Sequence, residues 1–286
     1  MRIEKHEKTR KKSPATYIIS TVLVGIMVFS GYQLYTGFQS YWDDYIRSLE
    51  VNDTADRGDK TVNWNKLKKI NSDVIGWLYC PDTVIDYAVV QGSDNSKYLY
   101  TGVDGKWAGG GTLFVDCVNE NPFKEPNTII YGHHMKDGSK FHDLDLWQDE
   151  NYLKKHPTFY LYTPNQNYEL TVVGCQNIEA TNTTVYGIPY TNENETEDFI
   201  ELVKNGSVVK TAETESMNSS NCYVTLSTCA YTFKDARTIL VCRVDAVEQS
   251  ISELECGKAE PDSKLQVFCR MVKEIVKEGF VDLTEQ

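Results

Sequence analysis

Three residue types that together can move an acyl group stand at the ends of apolar runs in this chain. Cys229 closes the segment Thr225-Leu226-Ser227-Thr228-Cys229, Arg237 follows shortly after it, and Gly132-His133 lies far upstream. A thiolate attacks a carbonyl and holds the acyl group as a thioester. An imidazole can give a proton to the departing amine and take one from the incoming nucleophile. A guanidinium keeps its proton, so Arg237 is suited to clamp a carbonyl or a developing oxyanion, not to act as a base. Side chains alternate along an extended run, so Thr225, Ser227 and Cys229 share one face and Val224, Leu226 and Thr228 the other.

Bringing together residues so far apart in sequence takes a sheet whose strand ends converge. Runs rich in β-branched and aromatic residues predict strands over 74–79, 84–90, 112–115, 128–131, 158–162, 168–178, 222–229 and 238–247. Cys80-Pro81-Asp82, Gly109-Gly110-Gly111 and Pro164-Asn165-Gln166-Asn167 are turn chemistry between them. Many short strands and few long helices predict a mainly β chain, a closed barrel or a sandwich. Helices are expected over Trp64–Ile70, over 139–155 and over Glu195–Lys204, the last stopped by Gly206. The acidic run Glu193 to Asp198 reads as a solvated helix start, because no loop of alternating oxygen ligands accompanies it. No metal or cofactor site is expected.

Charge is distributed unevenly. The chain of 286 residues is −12 overall, but residues 1–12 are +4, so the remainder carries −16. An acidic body excludes a nucleic-acid partner, which calls for a basic surface. No charged side chain occurs between Lys12 and Asp43, and Tyr17 to Tyr35 is mostly apolar. As a helix that stretch rises roughly 28 Å, close to the hydrocarbon thickness of a bilayer. The basic residues ahead of it predict a cytoplasmic N-terminus with everything after it outside. A cleaved signal peptide is the rival reading, and the lack of an A-x-A site after the run favours an uncleaved anchor. The expected organisation is a basic tail (1–12), a signal anchor (13–36), a helical stalk or linker (37–61), a catalytic domain (62–250) and an amphipathic C-terminal helix (251–286). The eight cysteines are widely and irregularly spaced without C-x-x-C, so neither a zinc site nor a disulfide framework can be read from them.

Thr225-Leu226-Ser227-Thr228-Cys229 with Arg237 resembles the T-L-x-T-C…R signature of the sortases, and Tyr131-Gly132-His133 resembles their histidine segment. The similarity to the class B branch extends through Ile70 to Leu78, Ile85 to Asn95 and Asn127 to Met135, and covers about residues 62–248. It implies an eight-stranded sortase-type barrel with N-terminal helices and a helix between strands 6 and 7. It also implies a transpeptidase, with Cys229 as nucleophile, His133 as acid and base, and Arg237 as substrate and oxyanion clamp. Ser227, Tyr131, Asn95, Leu99 and Thr228 match positions of the class B substrate groove. The implied substrates are secreted proteins with a C-terminal sorting signal of N-P-x-T-x type and an amine of peptidoglycan or its lipid-linked precursor.

Two departures from the family pattern stand out: Ala88 where Pro is usual, and Ala230 where several members have an acidic residue after the cysteine. No Asp-Pro-aromatic lid motif is present, which counts against a self-inhibited pilus polymerase. A hydrolytic cysteine peptidase and a membrane-tethered binding protein are the other readings. The adjacent His134 is the alternative base; the family pattern favours His133.

Overall fold

Eight strands close on themselves: β1 (Val74–Tyr79), β2 (Asp86–Gln91), β3 (Leu113–Val115), β4 (Asn127–Tyr131), β5 (Thr158–Tyr162), β6 (Asn167–Glu179), β7 (Tyr223–Cys229) and β8 (Ala236–Val247). The computed structural model describes residues 14–54, 62–230, 232 and 234–247. The basic tail and the helix expected over 251–286 lie outside the described residues. The spatial order is β1-β2-β3-β4-β7-β8-β6-β5. Because β1 pairs with both β2 and β5, the sheet is a closed barrel and not a sandwich, which removes the free edges an open sheet would expose. Each strand falls within two residues of its expected position.

Two of the pairings are parallel, β2 with β3 and β4 with β7. Parallel neighbours cannot be joined by a tight hairpin, so each needs a long crossover. Residues 92–112 supply the first. The second contains a 3₁₀ segment (His142–Gln148), α3 (Glu150–Lys155), β5, β6, α4 (Thr183–Tyr186), α5 (Glu193–Gly206) and α6 (Ala212–Glu215). The single helix expected over 139–155 is interrupted at Asp149. Its backbone is extended (φ −95°, ψ 129°), and its carboxylate caps α3 by accepting from the N–H groups of Asn151 and Tyr152. The helices α4 and α6, four residues each, lack the length for a helical periodicity in the sequence.

Three apolar clusters account for the packing. Leu78, Val89, Leu113, Ile130, Leu161, Leu226 and Leu240 fill the barrel, and Phe141, Leu144 and Trp147 of the 3₁₀ region pack with them. Trp77, Ala88, Val90 and Phe114, on the outer face of β1–β3, pack with Leu67 of α2 (Trp64–Ile70). The outer face of β6–β8, with Val173, Ile239, Val241 and Tyr223, packs under Phe199, Ile200 and Val203 of α5. Gly174 on β6 allows this approach, since a Cβ there would lie 2.2 Å from Ser207 Oγ and 2.7 Å from Val203 Cγ1. Between the two covered faces, the outer side of β4 and β7 keeps a strip on which Tyr131 and Cys229 are only half-buried.

Ahead of the barrel, α1 (Pro14–Thr54) is one continuous helix. Its stretch Tyr17–Thr36 has a mean hydropathy of 1.6 and is long and apolar enough to cross a membrane. The helix runs on into the expected stalk as far as Thr54, and Val51 near its end is buried in the same cluster as Leu67 and Trp77.

Phe199 is fully buried and carries the contact of α5 with the barrel. Phe199→Ala is expected to lower stability by about 3–5 kcal/mol. In urea titrations of the soluble domain the midpoint should fall while the slope stays constant; an unchanged midpoint would show that α5 does not support the barrel.

Candidate active site

Strand register pairs two of the three chemistry-bearing residues and leaves the third, His133, just past the end of the neighbouring strand, in a row along one rim. In the antiparallel β7–β8 pair, Cys229 is directly opposite Arg237. In the parallel β4–β7 pair, Tyr131 is opposite Ser227, and Gly132 N–H donates to the Ser227 carbonyl (3.1 Å). His133 follows two residues after Tyr131, past the end of β4, and Cys229 two residues after Ser227, at the end of β7, so with Arg237 all three stand along one rim of the barrel.

Each member of the row is held. Arg237 Nη1 donates to Cys229 Sγ, which places a permanent positive charge where a thiolate would form. The His133 carbonyl accepts from Phe141 N–H (3.0 Å), and His134 and Lys140 form a bridge that closes the turn between them. Gly132 has no room for a side chain, because a Cβ would lie 2.5 Å from Phe141 Cδ2 and 2.6 Å from Leu113 Cδ2. The His133 ring donates from Nε2 to the Leu99 carbonyl (2.7 Å), an atom that can only accept. Tyr100, which is exposed, packs its ring 5.5 Å from that of His133.

Beside the row, the strip on β4 and β7 has a polar floor. Ser227 shares a hydrogen bond with the Tyr186 hydroxyl (2.8 Å), and Tyr186 stacks on Tyr131 with ring centroids 6.3 Å apart. Tyr131 in turn donates its hydroxyl to the buried Asp116 carboxylate (2.8 Å). Burial raises the pKa of Tyr186, although its bond to Ser227 works the other way; burial and then the Asp116 charge raise that of Tyr131. Both therefore remain neutral phenols at neutral pH. Sequence reasoning missed Tyr186 and Asp116. Tyr186 comes from the four-residue α4, and its only local signal is the Asn182 cap, whose side chain accepts from Val185 N–H.

The remaining expected groove residues divide. Ser227 and Tyr131 lie on the strip. Leu99 is beside it and touches the row through its carbonyl. Asn95 is committed to structure, its Oδ1 accepting from Cys117 N–H (2.8 Å). Thr228 does not line the strip. Strand alternation turns it to the Leu226 side, toward the barrel interior, and its hydroxyl is buried. All six cysteines among the described residues, Cys229 included, are free thiols.

Residues 78–245 match the sequence profile of the Sortase domain. The chain belongs to the sortase family. Its relatives lie on the class B branch: it is 33% identical over 223 residues to Sortase B of Listeria monocytogenes, an alignment covering 74% of this chain and 88% of that protein. Among solved structures it resembles sortase B from B. anthracis in complex with AAEK1, with TM-score 0.65, 27% identity, and coverage of 73% of this chain and all of the other. It also shares the fold of the Staphylococcus aureus sortase B–substrate complex, with TM-score 0.60, 22% identity, and coverage of 77% and 100%.

A pair of histidines lies next to the row. The rings of His134 and His142 are 4.5 Å apart, and burial, followed by the charge His142 would carry, lowers the pKa of His134 below its ordinary 6.5. The unfolded chain then binds a proton at a higher pH than the folded one. Stability is full above about 6.5 and falls as the pH drops below it. Thermal melts between pH 7.5 and 5.5 are expected to show this slope, to which His156, whose pKa burial also lowers, contributes; His134→Gln should reduce it, and an unchanged slope would mean that His134 is not a group titrating.

Proposed function

We propose that this protein is a membrane-anchored cysteine transpeptidase that attaches secreted proteins to a peptidoglycan amine. The observation that carries the reading is the row His133–Cys229–Arg237, with the guanidinium on the thiol and a partly uncovered strip running from it along β4 and β7. The substrate class we assign, a C-terminal sorting signal of N-P-x-T-x type, is the one that the resemblance to class B sortases implies.

The chemistry follows from side-chain capacity. Cys229 Sγ attacks the carbonyl carbon of the signal threonine, and Arg237 offers hydrogen-bond donors to the charge that develops. As the C–N bond breaks, protonated His133 gives its proton to the departing amine. The acyl group then rests on sulfur as a thioester. An acceptor amine enters, gives a proton to the neutral imidazole and attacks the thioester carbon; the new amide leaves and the thiolate is restored. The His133 ring donates to Leu99 from Nε2, so Nδ1 is the nitrogen assigned to this exchange.

The apolar stretch of α1 supports a single-pass anchor, with the basic tail in the cytoplasm and the barrel outside. Past Thr36 the helix continues for 18 residues to Thr54, roughly 27 Å at helical rise. That length would hold the site above the headgroups, where both a translocating substrate and a lipid-linked acceptor are within reach.

Turnover of N-P-x-T-x and L-P-x-T-G reporter peptides, with and without triglycine, tests the proposal. Triglycine is expected to speed turnover and to appear in the product; with hydrolysis alone in both conditions, the chain would be a peptidase. Cys229→Ala should abolish cleavage; retained cleavage would take the nucleophile's role from Cys229, and no turnover by the unaltered domain would leave only a binding protein. Arg237→Ala should cost about 10²–10³ in turnover. His133→Ala should cost about 10²–10⁴ and His134→Ala far less; the reverse order would move the acid–base role to His134.

A further inference from the structure

The crossover between β2 and β3 does more than connect parallel strands. Over residues 98–101 every main-chain carbonyl has a partner: Tyr98 O accepts from Thr112 N–H (3.1 Å), Leu99 O from His133 Nε2 (2.7 Å), Tyr100 O from Ala108 N–H (3.0 Å) and Thr101 O from Thr112 Oγ1 (2.8 Å). Three of those partners belong to the same crossover, while the fourth is the ring assigned to acid–base work. Its position is set from two sides. Below, the buried Tyr98 donates its hydroxyl to Asp73 Oδ2 (2.8 Å) and accepts from Asn71 Nδ2 (2.8 Å), and Lys97 Nζ also reaches Asp73 (2.7 Å). Asn71 Nδ2 also donates to Val103 O (3.0 Å), which fixes the far limb of the loop. Opposite, Gly111 takes a left-handed conformation (φ +55°) with its backbone against this segment. A Cβ there would fall 2.3 Å from Tyr98 O, 2.5 Å from Leu99 O and 2.9 Å from Leu99 C.

We propose that the loop clamped by Gly111 and by the Asn71–Asp73–Tyr98 anchor is a positioning device for His133, with the Leu99 carbonyl as the latch that fixes ring orientation and tautomer. The latch requires the proton on Nε2, so the neutral ring always presents a bare Nδ1 to the exchange. Without it the imidazole could rotate, or carry its proton on either nitrogen. The catalytic histidine of a one-proton exchange then starts part of its turnovers in the wrong state. Gly111, Tyr98, Asp73 and Asn71 are thus positioning residues that act through Leu99 and never meet substrate. The inference rests on the proposed acid–base role of His133.

Gly111→Ala tests it, with Gly105→Ala as control. Gly105 is also left-handed (φ +77°), but a Cβ there meets nothing within 4 Å, so it adds similar backbone strain without touching the latch. In the soluble domain Gly111→Ala is expected to lower kcat by about 10²-fold, the scale of a misplacement of about 1 Å, with KM little changed. The rate of Cys229 alkylation by iodoacetamide should stay as in the unaltered protein. The ¹⁵N signals of the His133 ring should change from the Nε2–H pattern to a mixture of tautomers. Gly105→Ala should leave all four readouts in place. Tyr98→Phe, which keeps the ring and loses the anchor, should move kcat and the ¹⁵N signals in the same direction, so the test stands if Gly111→Ala does not fold. Retained kcat, a change confined to KM, or a persistent Nε2–H pattern in both variants would overturn the latch. If the unaltered domain transfers no acyl group, the proposed function fails, and the ¹⁵N measurement still decides whether the loop holds the ring.

Discussion

The parallel pairing of β4 with β7 is the constraint on which the site depends. Asn127 to Tyr131 runs beside Tyr223 to Ser227 in unbroken register, and both strands end at the same rim. Buried Asn127 keys this register from below. Its Oδ1 accepts from Thr225 Oγ1 (2.7 Å), and its Nδ2 donates to Tyr190 OH (3.2 Å) and Val185 O (3.3 Å). A slip of one residue would turn every β7 side chain to the other face, presenting Thr228 and burying Cys229 in the barrel. It would also bury Asn127 without its partners, at a cost of about 1–3 kcal/mol for each polar group left unsatisfied. The placement of Cys229 on the outer face and the packing of the core therefore select the same register.

From that pairing the rest of the barrel follows. A parallel pair demands a long crossover, and this chain uses the crossover productively. Its first part, the 3₁₀ segment, packs Phe141 and Trp147 into the barrel and fixes the turn that carries His133. Its last part lays α4 and α5 across the outer face of β6–β8 and delivers Tyr186 to the floor of the strip. The shorter crossover, 92–112, lies on the opposite side and delivers the Leu99 carbonyl. The site is thus bounded by two connections, each anchored on a different apolar cluster of the barrel's outer face. Strands set the row, and crossovers set the walls.

Much of this was legible from the chain because strand chemistry is local. Alternation in 222–229 and the turn residues between runs located all eight strands, and Cys229, His133 and Arg237 could be placed at strand ends without knowledge of pairing. Strand patterning by itself could not separate a closed barrel from a sandwich, since closure depends on β1 meeting β5 across more than eighty residues; the resemblance to the sortases implied the barrel that the structure shows. The helix over 139–155 was over-extended for a different reason. Its apolar spacing continues through Asp149, but a carboxylate that caps the following turn stabilises the extended backbone there more than a further helical residue would.

What stayed hidden is the polar machinery around the row, and for one physical reason. Leu99 acts through a main-chain carbonyl and Gly111 through the absence of a Cβ. Neither uses a side-chain chemistry that a sequence pattern can flag. Tyr186 does have a chemical handle, yet it reaches Ser227 only because α5 holds the crossover down on the sheet. Thr228 marks the opposite error: it matches a family position, while alternation on its own strand had already turned it inward. Where resemblance and strand geometry disagree at a single residue, the geometry is the stronger guide, because one face of β7 is packed core and cannot be exchanged for the other without refolding the barrel.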